Sequence, residues 1–111
     1  MIKKKQNMSG YAVIFISIKA EKLDGYDEMA ESMVNIAQKQ AGFIDFRSYA
    51  NESGENVSIS YWQSLEDIKN WKENLEHKMA QKLGREKWYK YFKLQVCKIE
   101  REYEFKSDTN I

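Results

Sequence analysis

Apolar residues in the first part of the chain follow two different periods, and the change of period separates a strand from a helix. Residues 11–20, YAVIFISIKA, are rich in β-branched and aromatic side chains, which predicts a strand. From Asp24 to about Gln40, apolar residues recur at helical spacing, and Gly42 follows as a stop signal. We therefore expect a strand followed by an amphipathic helix.

The middle of the chain has the pattern of a β-hairpin. Residues 43–50 (FIDFRSYA) and residues 56–62 (NVSISYW) both carry strand-forming residues. The segment NESG, residues 51–54, lies between them and is typical of a short turn. The two segments are therefore predicted to pair.

The last part of the chain predicts a second helix and a final strand. Ser64 and Asp67 resemble a capping box, and an apolar stripe continues from there to about Leu83. Residues 85–92 are interpreted as a helical turn or an irregular link. Residues 93–105 alternate in the manner of a strand.

The predicted order β-α-β-β-α-β is that of an α+β, ferredoxin-like domain, spanning residues 10–105 between flexible tails at 1–9 and 106–111. Two helices cover one face of such an antiparallel sheet. The first strand, however, is apolar on both faces, so its second face also needs a cover. No residues remain to supply one, and we expect a second copy of the chain to do so, which gives a homodimeric α/β barrel.

Composition removes several classes of function. The 111 residues include 18 Lys and Arg against 17 Asp and Glu, a net charge of +1 that gives no reason to expect a nucleic-acid partner. One cysteine, Cys97, and one histidine, His77, exclude an internal disulfide and a Cys/His zinc cluster. There is no Gly-rich phosphate loop and no apolar run long enough to span a membrane. We expect a cytoplasmic protein without a metal or another cofactor.

Residues 55–105 resemble the second half of the antibiotic biosynthesis monooxygenase family. The resemblance lies in SYW before a capped helix, in tryptophan and histidine spaced as W-x5-H within that helix, in GREKWY after it and in the closing strand IEREYEF. The first half fits as well, with GF entering the second strand after an amphipathic helix. Together these features cover roughly residues 10 to 105.

The resemblance implies a dimeric α/β barrel and, in characterised relatives, oxidation of polycyclic phenols or quinol-like substrates by O2 without metal, flavin or haem. By similarity, Trp71 and His77 hold the positions that border the substrate pocket. Arg85 is a loose counterpart of another pocket residue. Asp67 occupies a position where the family pattern has an asparagine. The implied function is a monooxygenase acting on a small aromatic molecule.

Each candidate site residue also has a purely structural interpretation. Trp71 lies on the apolar stripe and serves either as core or as a stacking surface for a flat substrate. His77 is two residues beyond the stripe residue Leu75, a rotation of about 200° around the helix, and is either solvated or a general base. Trp88 and Tyr91 are expected near the pocket mouth, either as a lid or in dimer packing.

Two other functions compete with oxygenation. Haem degradation occurs in the same superfamily, but its iron-binding histidine lies further along the helix, near Gln81 of this chain. Those relatives also use an asparagine on the first strand, where this chain has apolar residues such as Phe15, so we do not expect that activity. A non-catalytic small-molecule-binding or stress-response module that uses the same cavity is the main alternative.

Overall fold

The computed structural model describes residues 2–4, 10–20, 26–81 and 89–108, with the backbone alone at 2–4, 26, 29 and 76–81. The elements in chain order are β1 Ile2–Lys4, β2 Gly10–Lys19, α1 Tyr26–Lys39, β3 Phe43–Ala50, β4 Glu55–Trp62, α2 Leu65–Gln81, β5 Tyr89–Ile99 and β6 Tyr103–Phe105. Strands β2 to β5 form one antiparallel sheet in the order β3-β4-β2-β5. The predicted β-α-β-β-α-β order is confirmed.

Both helices pack on one face of this sheet. The core joins Ala37 of α1 and Ile68, Trp71 and Leu75 of α2 to Val13 and Trp62 of the sheet. Val13 lies opposite Ser60 of β4, and cross-strand partners share a face of an antiparallel sheet. The helix-covered face is therefore the one that carries Val13, Phe15, Ser58, Ser60 and Trp62.

No helix among the described residues lies on the other face, here called the open face. Its centre is apolar because the alternate residues of β2 and β4 that point there are Ala12, Ile14, Ile16, Ile18, Val57 and Ile59. Ile14 and Ile59 lie opposite each other on the two central strands, yet both are only half-buried. The two-faced apolar pattern of the first strand is thus present in the structure.

The start of α2 is fixed by its first turn. The Asp67 backbone N–H donates to Ser64 Oγ over 3.1 Å, and the Ser64 hydroxyl donates to Asp67 Oδ2 over 2.8 Å. Gly42 has φ +81°, and a side chain there would overlap the Asp67 carboxylate. The Gln63 N–H also donates to the Gly42 carbonyl over 2.8 Å. The cap therefore docks α2 against the beginning of β3, which confirms the capping prediction.

The last strand differs from its prediction. Residues 89–92 were predicted as a helical turn or link, but they belong to β5. Two of their rings pack against Phe15 of β2, at centroid distances of 5.5 Å for Tyr89 and 5.7 Å for Phe92, which favours the strand. The strand then stops at Ile99, and Tyr103–Phe105 form a separate strand. Ile2–Lys4, which the sequence placed in a tail, pair with it in antiparallel fashion.

Candidate functional site

A cavity of about 580 Å³ lies between the two helices and the helix-covered face of the sheet. Sites for small organic molecules have this size and are mainly apolar with a few placed polar groups. The same composition is found here, since the apolar part of the lining includes Phe15, Met33, Val34, Phe46, Phe92 and Leu94. The cavity is thus large enough for a ligand of several rings.

Trp71 lines this cavity from α2 and is unusual in its hydrogen bonding. Its ring stacks at a tilt of 31° on Trp62, with 5.0 Å between centroids, and the residue is 8% exposed. The Trp62 indole N–H donates to Ser60 Oγ over 2.8 Å, whereas the Trp71 Nε1 is buried and has no hydrogen-bond partner among the described residues. An unpaired buried donor costs about 1–3 kcal/mol. Trp71 is therefore both core and a donor in need of an acceptor.

Three polar residues on the sheet side of the cavity form what we term the polar floor: Ser48 of β3 with Asn56 and Ser58 of β4. They interact with one another at 3.5 Å (Ser48 to Asn56), 3.4 Å (Ser48 to Ser58) and 3.2 Å (Asn56 to Ser58). The sequence analysis did not select them. The available signal was the alternation in NVSISYW, which puts serines on the face that carries Trp62.

The structure changes the assignment of two predicted substrate-binding residues. Asp67 does not line the cavity, because its carboxylate caps α2 and contacts Gly42. Tyr91 lies opposite Ile18 on the open face, 48% exposed, and so points away from the cavity that Tyr89 and Phe92 line. Strand alternation alone puts Phe92, opposite Ser17, on the cavity side and Tyr91 on the open face. The register shift between Ile18 and Lys19 then places Tyr89, opposite Lys19, on the cavity side as well.

The remaining candidates are described incompletely. His77 belongs to α2, where the structure describes its backbone but not its side chain. Arg85 and Trp88 both fall within residues 82–88, outside the described residues. Trp71 is thus the one predicted site residue that is seen in the cavity lining.

Charged groups lie both in the cavity and on the open face. Lys19, Glu31 and Lys72 belong to the cavity lining. On the open face, a hydrogen bond to Tyr49, aided by the Asp45 carboxylate 3.6 Å away, raises the pKa of the Arg47 guanidinium, which therefore stays charged. Within the described ranges, no three His, Cys, Asp or Glu side chains are grouped so as to hold a metal ion, and no helix is long and apolar enough to cross a membrane.

Comparison with known families gives a match over most of this fold. Residues 10–83 match the model of the family described as antibiotic biosynthesis monooxygenase. The uncharacterized protein YqjZ of Bacillus subtilis (strain 168) is 40% identical over 100 residues, which are 90% of this chain and 88% of the relative. The family match therefore extends from β2 through both helices.

Solved structures with low sequence identity share the fold. A conserved protein from Methanosarcina mazei Go1 superimposes with a TM-score of 0.68 at 17% identity, covering 84% of this chain and 95% of that one. SnoaB, described as a cofactor-independent oxygenase from Streptomyces nogalater, gives a TM-score of 0.66 at 9% identity, covering 85% and 96%. At such identities the likeness is one of fold.

Proposed function

The chain belongs to the antibiotic biosynthesis monooxygenase family, and on that premise we propose that it is a monooxygenase that oxidises a small aromatic or quinol-like substrate with O2 and no cofactor. The observation that carries the proposal is the buried, unpaired Trp71 indole N–H beside an apolar cavity of about 580 Å³. Support also comes from SnoaB, a structural neighbour described as a cofactor-independent oxygenase.

The reaction needs only a substrate that is itself the reductant. Loss of a proton from an anthrone-like substrate gives an electron-rich enolate, which transfers an electron to O2 and then combines with it. The resulting peroxide loses water and leaves a ketone. One oxygen atom of O2 enters the product and the other leaves in water, so a CH2 group and O2 give C=O and H2O. The protein must therefore stabilise an oxyanion and accept a proton.

Trp71 is our candidate for the first of these tasks. A hydrogen-bond donor in a water-poor site stabilises developing negative charge more strongly than water does. The Trp71 N–H is buried, and no group in the described chain accepts its hydrogen bond. A substrate oxyanion would supply that acceptor, and the indole ring would pack beside the substrate. Trp71 would then contribute to catalysis and to the core at once.

His77 is our candidate for the proton acceptor. The support is its position in the W-x5-H spacing, in a chain that has no other histidine. Position 77 lies about 9 Å further along the axis of α2 than Trp71, because six residues of helix separate them. On α2 the described cavity lining runs from Trp71 to Leu75, about 6 Å along the helix axis, and we propose that His77, about 3 Å further on, borders the end of the same cavity.

We also propose that the open face is the interface of a homodimer. Its apolar centre is flanked by polar groups on the edge strands, Asp45 and Arg47 on β3 and Lys93 on β5. An apolar centre with a polar rim is the usual anatomy of a protein interface. The central isoleucines Ile14 and Ile59 are only half-buried in the single chain, and a second copy would cover them.

The proposed activity is tested with anthrone in air-saturated buffer. Purified protein should accelerate oxidation to anthraquinone, and Trp71→Phe should lower kcat by about 10²-fold, as for loss of one oxyanion donor. Tyr103→Phe, a change on β6 outside the cavity, serves as a control and should leave the rate unchanged. Tight binding of anthrone without acceleration would instead favour the non-catalytic binding module.

A further inference from the structure

The polar floor has unused hydrogen-bonding capacity. Ser48 donates to Asn56 Oδ1, so its single hydroxyl proton is committed, and Ser58 must be the donor in the contact between the two serines. Asn56 Nδ2 in turn donates to Ser58 Oγ. The three groups thus form a closed ring in which each donates once and accepts once.

Counting the remaining capacity shows which ligand chemistry the floor prefers. Each of the three oxygens keeps one lone pair, whereas only one N–H, the second on Asn56, stays uncommitted. The ring distances of 3.2 to 3.5 Å are long for hydrogen bonds of these types, so the groups are weakly held in place. A surplus of acceptors over donors favours a ligand group that donates, such as a hydroxyl.

A second observation points to the same place. Ser17 of β2 lies directly opposite Asn56 and is 0% exposed, and its hydroxyl has no hydrogen-bond partner in the part of the chain that the structure describes. By strand alternation it is on the same face as Phe15, which lines the cavity. The buried Ser17 hydroxyl and the weakly hydrogen-bonded Asn56 amide lie side by side. Together they indicate that this region lacks a hydrogen-bonding partner, which a ligand could supply.

The polar floor lies well away from the Trp71 end of the cavity. Trp71 stacks on Trp62, and Ser58 is four residues before Trp62 on β4, about 13 Å at the usual strand rise. A single-ring ligand reaches one of these places, whereas a ligand of several fused rings reaches both.

We propose that the polar floor is a second recognition subsite, which binds a hydroxyl-bearing ring edge of the substrate at the end remote from Trp71. This inference rests on the proposed function, because it assumes an aromatic ligand in the same cavity. The hydroxyl donates to Ser58, the less exposed of the two serines, and the second N–H of Asn56 is left to donate to the ligand or to Ser17. The floor selects substrates that carry a hydroxyl on the distal ring over analogues that lack this donor.

Two stable probes isolate the donor: 2-hydroxyanthraquinone and 2-methoxyanthraquinone, which share the ring system and the oxygen atom. By equilibrium dialysis, wild-type protein should bind the hydroxy probe about three- to tenfold more tightly, the effect of one hydrogen bond. Ser58→Ala should reduce this ratio to about one, and Ser58→Thr, which keeps the hydroxyl, should restore it. Ser53→Ala removes a serine hydroxyl in the β3–β4 turn, outside the cavity, and should leave the ratio unchanged.

The outcomes separate this inference from the proposed function. If both probes bind, Trp71→Phe weakens both equally, and Ser58→Ala leaves their ratio as in wild type, the polar floor is not a recognition subsite although the aromatic cavity stands. If neither probe binds to wild-type protein, both ideas fail. A Ser58→Ala variant that folds with an unchanged melting temperature and loses the preference supports the inference.

Discussion

Replacing each of the two stacked tryptophans by phenylalanine tests whether Trp71 is more than core. Both substitutions remove the same atoms from buried positions, 0% exposed at Trp62 and 8% at Trp71, so their packing costs are similar. The two sites differ in the indole N–H. At Trp62 it donates to Ser60 Oγ over 2.8 Å, and at Trp71 no described residue accepts its hydrogen bond.

The difference in free energy of unfolding follows from that contrast. Trp62→Phe loses a hydrogen bond worth about 1 kcal/mol and leaves the buried Ser60 hydroxyl without its donor. Trp71→Phe instead removes an unpaired donor and recovers about 1–3 kcal/mol, which offsets its packing cost. We expect Trp62→Phe to be more destabilising than Trp71→Phe by about 3 kcal/mol.

Urea unfolding without ligand measures this difference. The variants are compared at one protomer concentration, because assembly couples stability to concentration, and unchanged m-values show that the same surface unfolds. Equal destabilisation by the two substitutions would refute the reasoning, since the Trp71 N–H would then be satisfied in the folded protein. Turnover should follow the opposite order to destabilisation. Trp71→Phe, the less destabilised variant, should remain folded but lose turnover.

Three further predictions follow from other parts of the molecule. His77→Ala should lower anthrone oxidation by about 10²-fold, as for loss of a general base, with little change in urea stability; equal rates would remove His77 from the reaction. Light scattering at micromolar protein should give about twice the protomer mass of 13.2 kDa, and Ile14→Glu at the centre of the open face should give the protomer mass; a wild-type mass of 13.2 kDa would exclude the dimer. Gly42→Ala should lower the free energy of unfolding by about 2 kcal/mol more than Gly54→Ala, because both glycines have positive φ (81° and 90°) but only Gly42 faces the Asp67 carboxylate. Equal losses in urea unfolding would show that the Asp67 side chain can move aside without loss of stability.

Much of the fold could be predicted because local signals agreed with the tertiary structure. Gly42 and the turn at residues 51–54 bracket β3, and its observed bounds, Phe43–Ala50, match the predicted segment. Ser64 and Asp67 fix the start of α2 through contacts within one helical turn. Patterns of this kind need only near neighbours, and they are therefore readable from the sequence.

The site was harder to predict because it depends on register and on distant partners. Tyr91 was expected at the pocket mouth, but residues 89–92 belong to β5, where each step of one residue reverses the face, and Tyr91 pairs with Ile18 on the open face. Asp67 has a spacing that suits a cap as well as a pocket residue, and its contact with Gly42 decides for the cap. The polar floor joins Ser48 to Ser58 across two strands, so no single segment contains it.

Incorporation of labelled oxygen tests the central proposal most directly. Chelator-treated protein is incubated with anthrone under 18O2, and the anthraquinone is examined by mass spectrometry against a reaction without protein. The account predicts an enzyme-dependent product that carries one 18O atom, formed much more slowly by Trp71→Phe. Product formation no faster than in buffer alone, or formation that the chelator abolishes, would contradict a cofactor-independent monooxygenase.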